Sequence, residues 1–139
     1  MSEQENLDSV AGIYEAFGCG DFAAVLNRIN PQAELQFEGP STVPWTGRFH
    51  GREGWTKFFQ ALGQNVDDIR VTMEPFAAQG DRVVFVGRYQ GRVKATGQRI
   101  DSPLVHLWTL RNGLVARCLE LTDTAAEATA CTAAAAVAR

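Results

Sequence analysis

The chain has 139 residues, enough for one ordinary domain and too few for two. Hydrophobic residues make up 45% and charged residues 21%, the balance of a globular chain and not of a disordered one. A net charge of −3 leaves no basic face to neutralise phosphates, which argues against nucleic acid as a partner.

The acidic, polar opening MSEQENLDSV is unlike a secretory or transit peptide, and no apolar run is long enough to cross a bilayer, so no membrane partner is expected. The first helix is expected from about Glu5 to Phe17, where Leu7, Val10, Ala11, Tyr14 and Phe17 recur at helical spacing. Gly18 and Gly20 stop it, and Asp21 is placed to cap a short second helix carrying Phe22, Val25, Leu26 and Ile29. Asn30-Pro31 ends that helix, because the residue before proline avoids the α region.

Ala33–Glu38 alternates as a short strand, and the Pro/Gly-punctuated stretch from Gly39 to Gly51 reads as irregular. A third helix is expected from Arg52 to about Gln64, with Trp55, Phe58, Phe59 and Leu62 on its apolar face. Four strands follow: Ile69–Ala78, Arg82–Ala95, Ile100–Leu110 and Leu114–Leu121. The breaks QGD, TGQ and RNG each hold a glycine suited to a tight turn, so these strands form an antiparallel meander. The tail from Thr124 is Ala-rich, with Val137 its one large apolar residue, and predicts a weakly held helix or a frayed end. The reading is therefore one domain over 1–139, with a folded core over about 5–123 and a tail over 124–139. Helices followed by a long meander give the α+β class, with a sheet curling round the helices and leaving a pocket.

Cys19, Cys118 and Cys131 are odd in number and far apart, which fits a reducing cytoplasm. Two histidines, His50 and His106, are too few for a His-rich metal site, so neither metal nor cofactor is expected.

The segments YEAFGCGDFAAVLNRINPQAELQFEGPSTVPWTGRFHGREGWTKFF and HLWTLRNGLVARCLELTDTAA resemble SnoaL-like, ketosteroid-isomerase-related proteins of the nuclear-transport-factor-2-like (NTF2-like) superfamily. The match is carried by GD-F after the first helix, GREG opening the third, and the RNG turn followed by ELTDTA. It covers all but the N-terminal residues and the Ala-rich tail. The resemblance implies a cystatin-like fold, a cone-shaped, curved, antiparallel or mixed sheet wrapped round N-terminal helices. It does not by itself imply a reaction, since the superfamily hosts isomerases, cyclases, dehydratases, epoxide hydrolases and non-catalytic binders.

Residue by residue, the isomerase pattern fails: its base falls at Gly39 beside Glu38, its tyrosine at Ile13 beside Tyr14, and its second acid at Val105. The epoxide-hydrolase pattern keeps Arg88 and Asp123 but has Gln90 where an acid is needed. The cyclase pattern matches best, through Asp123 near the end of the last strand. On this reading Asp123 moves the proton, and Arg88 orients it or stabilises negative charge. Tyr14, Phe17, Phe37, Trp45, Phe59, Val105, Leu107 and Leu121 then shape the site.

Each assignment has an alternative. Asp123 is equally suited to capping the tail helix, and Arg88 to a solvated sheet face. Trp45 and Phe49 could form a lid or anchor their loop. The family register turns Val105 and Leu107 inward and sends His106 to the outer face with Leu104 and Trp108, where a subunit interface would form. Cys118 lacks an adjacent base and is not expected to act as a nucleophile. The chain is thus read as a pocket for a small apolar molecule, either an isomerase, cyclase or dehydratase working by acid–base chemistry, or a non-catalytic binder or dimeric interaction domain. A homodimer through the outer sheet face is compatible with both.

Overall fold

A computed structural model describes residues 2–133, so the expectation placed on Val137 lies outside the described residues. Helix α1, Glu3–Gly18, opens with a reciprocal cap: Ser2 Oγ accepts from the Glu5 N–H at 3.0 Å and Glu5 Oε1 from the Ser2 N–H at 3.2 Å. It buries Asn6, Val10 and Ile13. Asp21 caps α2, Phe22–Leu26, by accepting from the Ala24 N–H.

Strand β1, Ile29–Phe37, starts earlier than the sequence predicts. A register shift between Ile29 and Glu34 accommodates Pro31, which could not donate to a regular ladder, and Asn30 Oδ1 accepts from the Gln32 N–H across it. The stretch expected to be irregular contains a short strand β2, Gly47–His50, antiparallel to β1. Helix α3, Gly51–Asn65, buries Trp55 and Phe58.

The remaining strands are β3 (Val66–Gln79), β4 (Arg82–Val93), β5 (Arg99–Arg111) and β6 (Leu114–Thr122). They form the expected antiparallel meander within one open six-stranded sheet of order β2-β1-β6-β5-β4-β3, in which β1 runs parallel to β6. Register shifts between Asp67 and Arg70, Pro75 and Ala77, and Thr109 and Leu110 bend the long strands, as inserted residues do. Asn112 and Gly113, at φ 52° and 80°, make the β5–β6 turn, whose twist matches its strands. Helix α1 packs on β3 and β4, and α3 on β1 and β2, so both cover the concave face.

Beyond β6, Thr124–Thr132 forms a fourth helix, α4, capped by Asp123 and packed on β5. It is fastened by polar contacts where apolar ones are scarce. Glu127 is wholly buried, and Thr96 Oγ1 donates to the Ala130 carbonyl at 2.7 Å. Among the described residues, no helix is long and apolar enough to cross a membrane.

Candidate functional site

Between the concave face and the two long helices lies a cavity of about 80 Å³. α1 supplies Ile13, Tyr14 and Phe17, α3 supplies Trp55, Phe58, Phe59 and Leu62, and Leu35, Phe37, Tyr89, Leu104 and Trp108 face in from the sheet. The half-exposed lining residues Phe17, Phe59, Leu62, Ile69 and Val71 mark the side nearest solvent. The walls are almost wholly apolar, so the few polar groups stand out.

Three of these polar groups form a line. The Tyr14 hydroxyl is 2.5 Å from His106 Nδ1, and Trp108 Nε1–H donates to the Tyr14 oxygen at 2.9 Å. The phenol oxygen accepts from Trp108 and meets Nδ1 as donor or acceptor according to which ring nitrogen carries the imidazole proton. The Tyr14 and His106 rings lie parallel, 8° apart, with centroids 5.6 Å from each other.

On its other side, His106 Nε2 is 3.0 Å from Glu120 Oε1, its cross-strand neighbour. The carboxylate sits off the N–H axis, so the two are in close contact while Nε2 has no hydrogen-bond partner. Among the described residues no donor is hydrogen bonded to the Glu120 carboxylate. Burial pushes the Tyr14 phenol well above its ordinary range, with smaller contributions from Cys118 and Glu120, so it stays neutral and keeps its proton to donate. Burial, and then the charge of Glu120, likewise raises the Cys118 thiol. A ring nitrogen of His106, Cys118 Sγ and a Glu120 oxygen lie within 4.8 Å of one another, a mixed set of donors in place of a His-rich one.

A second polar cluster closes the far wall. The Glu127 carboxylate accepts from the Tyr89 hydroxyl, the Thr122 hydroxyl and Trp45 Nε1–H. Desolvation raises its pKa above the ordinary value, against the lowering effect of those three donors. Tyr89 and Trp45 also line the cavity, so α4 holds two of its wall residues in place.

Of the residues expected to shape the site, Tyr14, Phe17, Phe37, Trp45 and Phe59 line this cavity. Trp45 is fully buried and bonded to Glu127, which makes it an anchor and not a lid. Phe49 packs edge-on against Phe58, ring centroids 5.4 Å apart.

The expected inward face of the central strands is inverted. Val105, Leu107 and Leu121 lie on the outer face, while Leu104, His106 and Trp108 point into the cavity. Arg88 is on the outer face too, exposed and paired with Asp101 at 3.0 Å. Asp123 is an exposed helix cap beside a shallow depression bordered by Gln98 and Arg99. Arg88 and Asp123 therefore do not meet in the cone. Glu120, Tyr89 and Glu127, which the sequence reading passed over, occupy the polar positions instead. Arg117 signals where Glu120 points: it is exposed, and strand alternation then sends Cys118 and Glu120 to the other face.

The pattern of the SnoaL-like domain matches residues 10–118. No curated protein matches the chain. An NTF2-like protein from Burkholderia xenovorans is 32% identical, with 95% of this chain and 99% of that one covered and a TM-score of 0.85. An NTF2-like protein of unknown function from Burkholderia pseudomallei is 26% identical over 96% of this chain and 100% of its own, with a TM-score of 0.86. A candidate SnoaL-like polyketide cyclase from Jannaschia sp. is 25% identical over 94% of each chain, with a TM-score of 0.81. The sheet, the cavity and this match over most of its length agree: the chain belongs to the SnoaL-like domain family.

Proposed function

We propose that the protein is an acid–base catalyst of the isomerase or cyclase kind, acting on a small, largely apolar carbonyl compound held in the cavity. One observation carries this reading. Glu120 is a carboxylate at the wall of an apolar cavity, with no hydrogen-bond donor on it among the described residues and an imidazole 3.0 Å away. Both oxygens of such a carboxylate are free of hydrogen-bond donors and can accept a proton from a molecule held against the apolar walls.

In the proposed reaction Glu120 accepts a proton from the carbon next to the substrate carbonyl and returns it to another atom of the same molecule. The protein ends with the protons it began with. His106 holds the carboxylate in place and is a second station for the proton, and Tyr14 and Trp108 fix the ring. The apolar walls select for an apolar substrate. The likeness to a candidate polyketide cyclase supports chemistry of this kind.

The test is hydrogen–deuterium exchange into a panel of small cyclic ketones in deuterated buffer, followed by NMR. Wild type should accelerate exchange of the α-protons of at least one, and Glu120→Gln should lose about 100-fold or more of that rate. Equal exchange by wild type and Glu120→Gln would remove the assignment.

The outer face supports a second proposal, that the chain pairs with a second copy of itself. Val84, Leu107 and Leu119 stand opposite one another across β4, β5 and β6, and Val86, Val105 and Leu121 make the adjoining row. All six are half-buried or exposed, an apolar patch that a second copy would cover.

A further inference from the structure

We propose that His106, Cys118 and Glu120 form a three-ligand binding site for a single divalent cation of the Zn²⁺ class, with its fourth position toward the apolar cavity. The site is set by the β5–β6 register. Trp108 stands opposite Cys118 and His106 opposite Glu120, on successive inward rungs, so imidazole, thiol and carboxylate converge. Their ligand atoms lie within 4.8 Å of one another, and Nε2 and Oε1 are 3.0 Å apart. Ligands about 2.0–2.3 Å from a tetrahedral Zn²⁺ are separated by roughly 3.3–3.7 Å, so small side-chain adjustments would bring all three to one ion.

Three further observations point to a cation. His106 Nε2 is buried with no hydrogen-bond partner, and it lies 3.0 Å from the Glu120 carboxylate. The opposite ring nitrogen is already held: Nδ1 meets the Tyr14 hydroxyl, which is itself fixed by Trp108. A metal-ligating histidine needs such a partner on its other nitrogen, and the phenol oxygen has two lone pairs to accept from both Nδ1–H and Trp108. Charge also balances. One thiolate and one carboxylate neutralise a divalent ion, leaving no net charge in an apolar interior. Mixed N, S and O donors suit Zn²⁺ better than the harder Mg²⁺ or Ca²⁺.

With the cation bound, the imidazole proton is on Nδ1 and the Cys118 proton has gone to solvent, one proton released per cation. Affinity should therefore rise about tenfold per pH unit while the thiol is protonated. The ion would take up Glu120 and His106, so a loaded site withholds the base from substrate. Cation binding at these three side chains does not require turnover.

The test is titration of the metal-free full chain with Co²⁺, a spectroscopic stand-in for Zn²⁺. Expected are one equivalent bound, visible ligand-field bands of tetrahedral strength, and near-ultraviolet thiolate-to-cobalt absorption that Zn²⁺ abolishes. Cys118→Ser should lose the thiolate absorption, whereas Cys19→Ser and Cys131→Ser should keep it. His106→Gln should weaken binding about 100-fold or more, and Tyr14→Phe about tenfold. Circular dichroism of each metal-free variant confirms folding; should Cys118→Ser fail to fold, His106→Gln and Glu120→Gln decide the question. Absence of thiolate absorption in wild type, or its survival in Cys118→Ser, would overturn the site. Running the ketone-exchange assay with chelator present keeps the two proposals separable.

Discussion

The Tyr14 hydroxyl meets His106 Nδ1 at 2.5 Å, joining the helix that covers the sheet to the middle of its fourth-paired strand, 92 residues later. The contact holds the imidazole ring in place and therefore keeps Nε2 turned toward Glu120. Tyr14→Phe keeps the ring and its stacking but removes the hydroxyl. Trp108 Nε1–H loses its acceptor and His106 Nδ1 its hydrogen-bond partner, both in an apolar setting. A loss of about 1–3 kcal/mol in urea unfolding is expected, since an unsatisfied buried polar group costs that much. The same variant should slow ketone exchange, because the imidazole beside Glu120 is no longer held in place. An unchanged unfolding midpoint would show that water replaces the hydroxyl at no cost.

Glu127 sets a pH dependence. Its carboxyl is raised above its ordinary value near 4.5, chiefly by burial, while in the unfolded chain it titrates near that value. Between the two, the folded state holds a proton that the unfolded state has lost, so stability falls as pH rises through that window. The contribution is fully present below about pH 4.5. Glu127→Gln removes the ionisation and keeps a carbonyl acceptor for the Tyr89 and Trp45 donors, with its amide N–H₂ donating to the Thr122 hydroxyl. Urea midpoints of wild type relative to Glu127→Gln should therefore decline from acid to neutral pH. Parallel profiles would mean that the carboxyl titrates normally in the folded chain.

The helices and the meander were legible, though not β2, because periodicity and turn glycines speak for themselves at Trp55-Phe58-Phe59-Leu62 and at Asn112-Gly113. The site was not, because the parity of β5 is ambiguous. LVHLW carries large apolar residues on both faces, so burial pattern alone could not choose between Val105 and His106. The answer was present in the neighbouring strand. Arg82, Arg88 and Arg92 share one face of β4, and a charged row belongs outside. Through the β4–β5 register, which sets Arg88 opposite Pro103 and Val86 opposite Val105, that row places Val105 outside and His106 inside. Following a family register in place of the arginine row reversed the faces. Glu127 was hidden for a different reason: an alanine-rich helix looks unattached until the partners of its one buried carboxylate are known.

The two apolar rows on the outer face make the pairing proposal testable at one position. Leu107 lies in the middle of its row, between Val84 and Leu119. It is half-buried and points away from the cavity, so Leu107→Arg should leave the interior alone. In sedimentation velocity the wild-type chain should run as a dimer and Leu107→Arg as a monomer with unchanged circular dichroism. A wild-type monomer at high concentration would remove the proposal, and so would a Leu107→Arg variant that remains dimeric.

Asp123 separates capping from catalysis. Its carboxylate accepts from the Ala126 N–H at 3.0 Å, and its own N–H donates to the buried Ser102 hydroxyl at 2.9 Å. The second bond belongs to the backbone and survives any side-chain change. Asp123→Ala therefore removes only the cap, at a cost of about 1 kcal/mol, and Asp123→Asn, which keeps a capping oxygen, should cost less. Neither change reaches Glu120 or His106, so both variants should retain wild-type ketone exchange once corrected for folded fraction. If Asp123→Asn lost exchange while staying folded, proton transfer would have to be assigned to the end of β6, and Glu120 would become a supporting residue. If it kept exchange while Glu120→Gln lost it, the proton chemistry would belong to the line running from Tyr14 through His106 to Glu120.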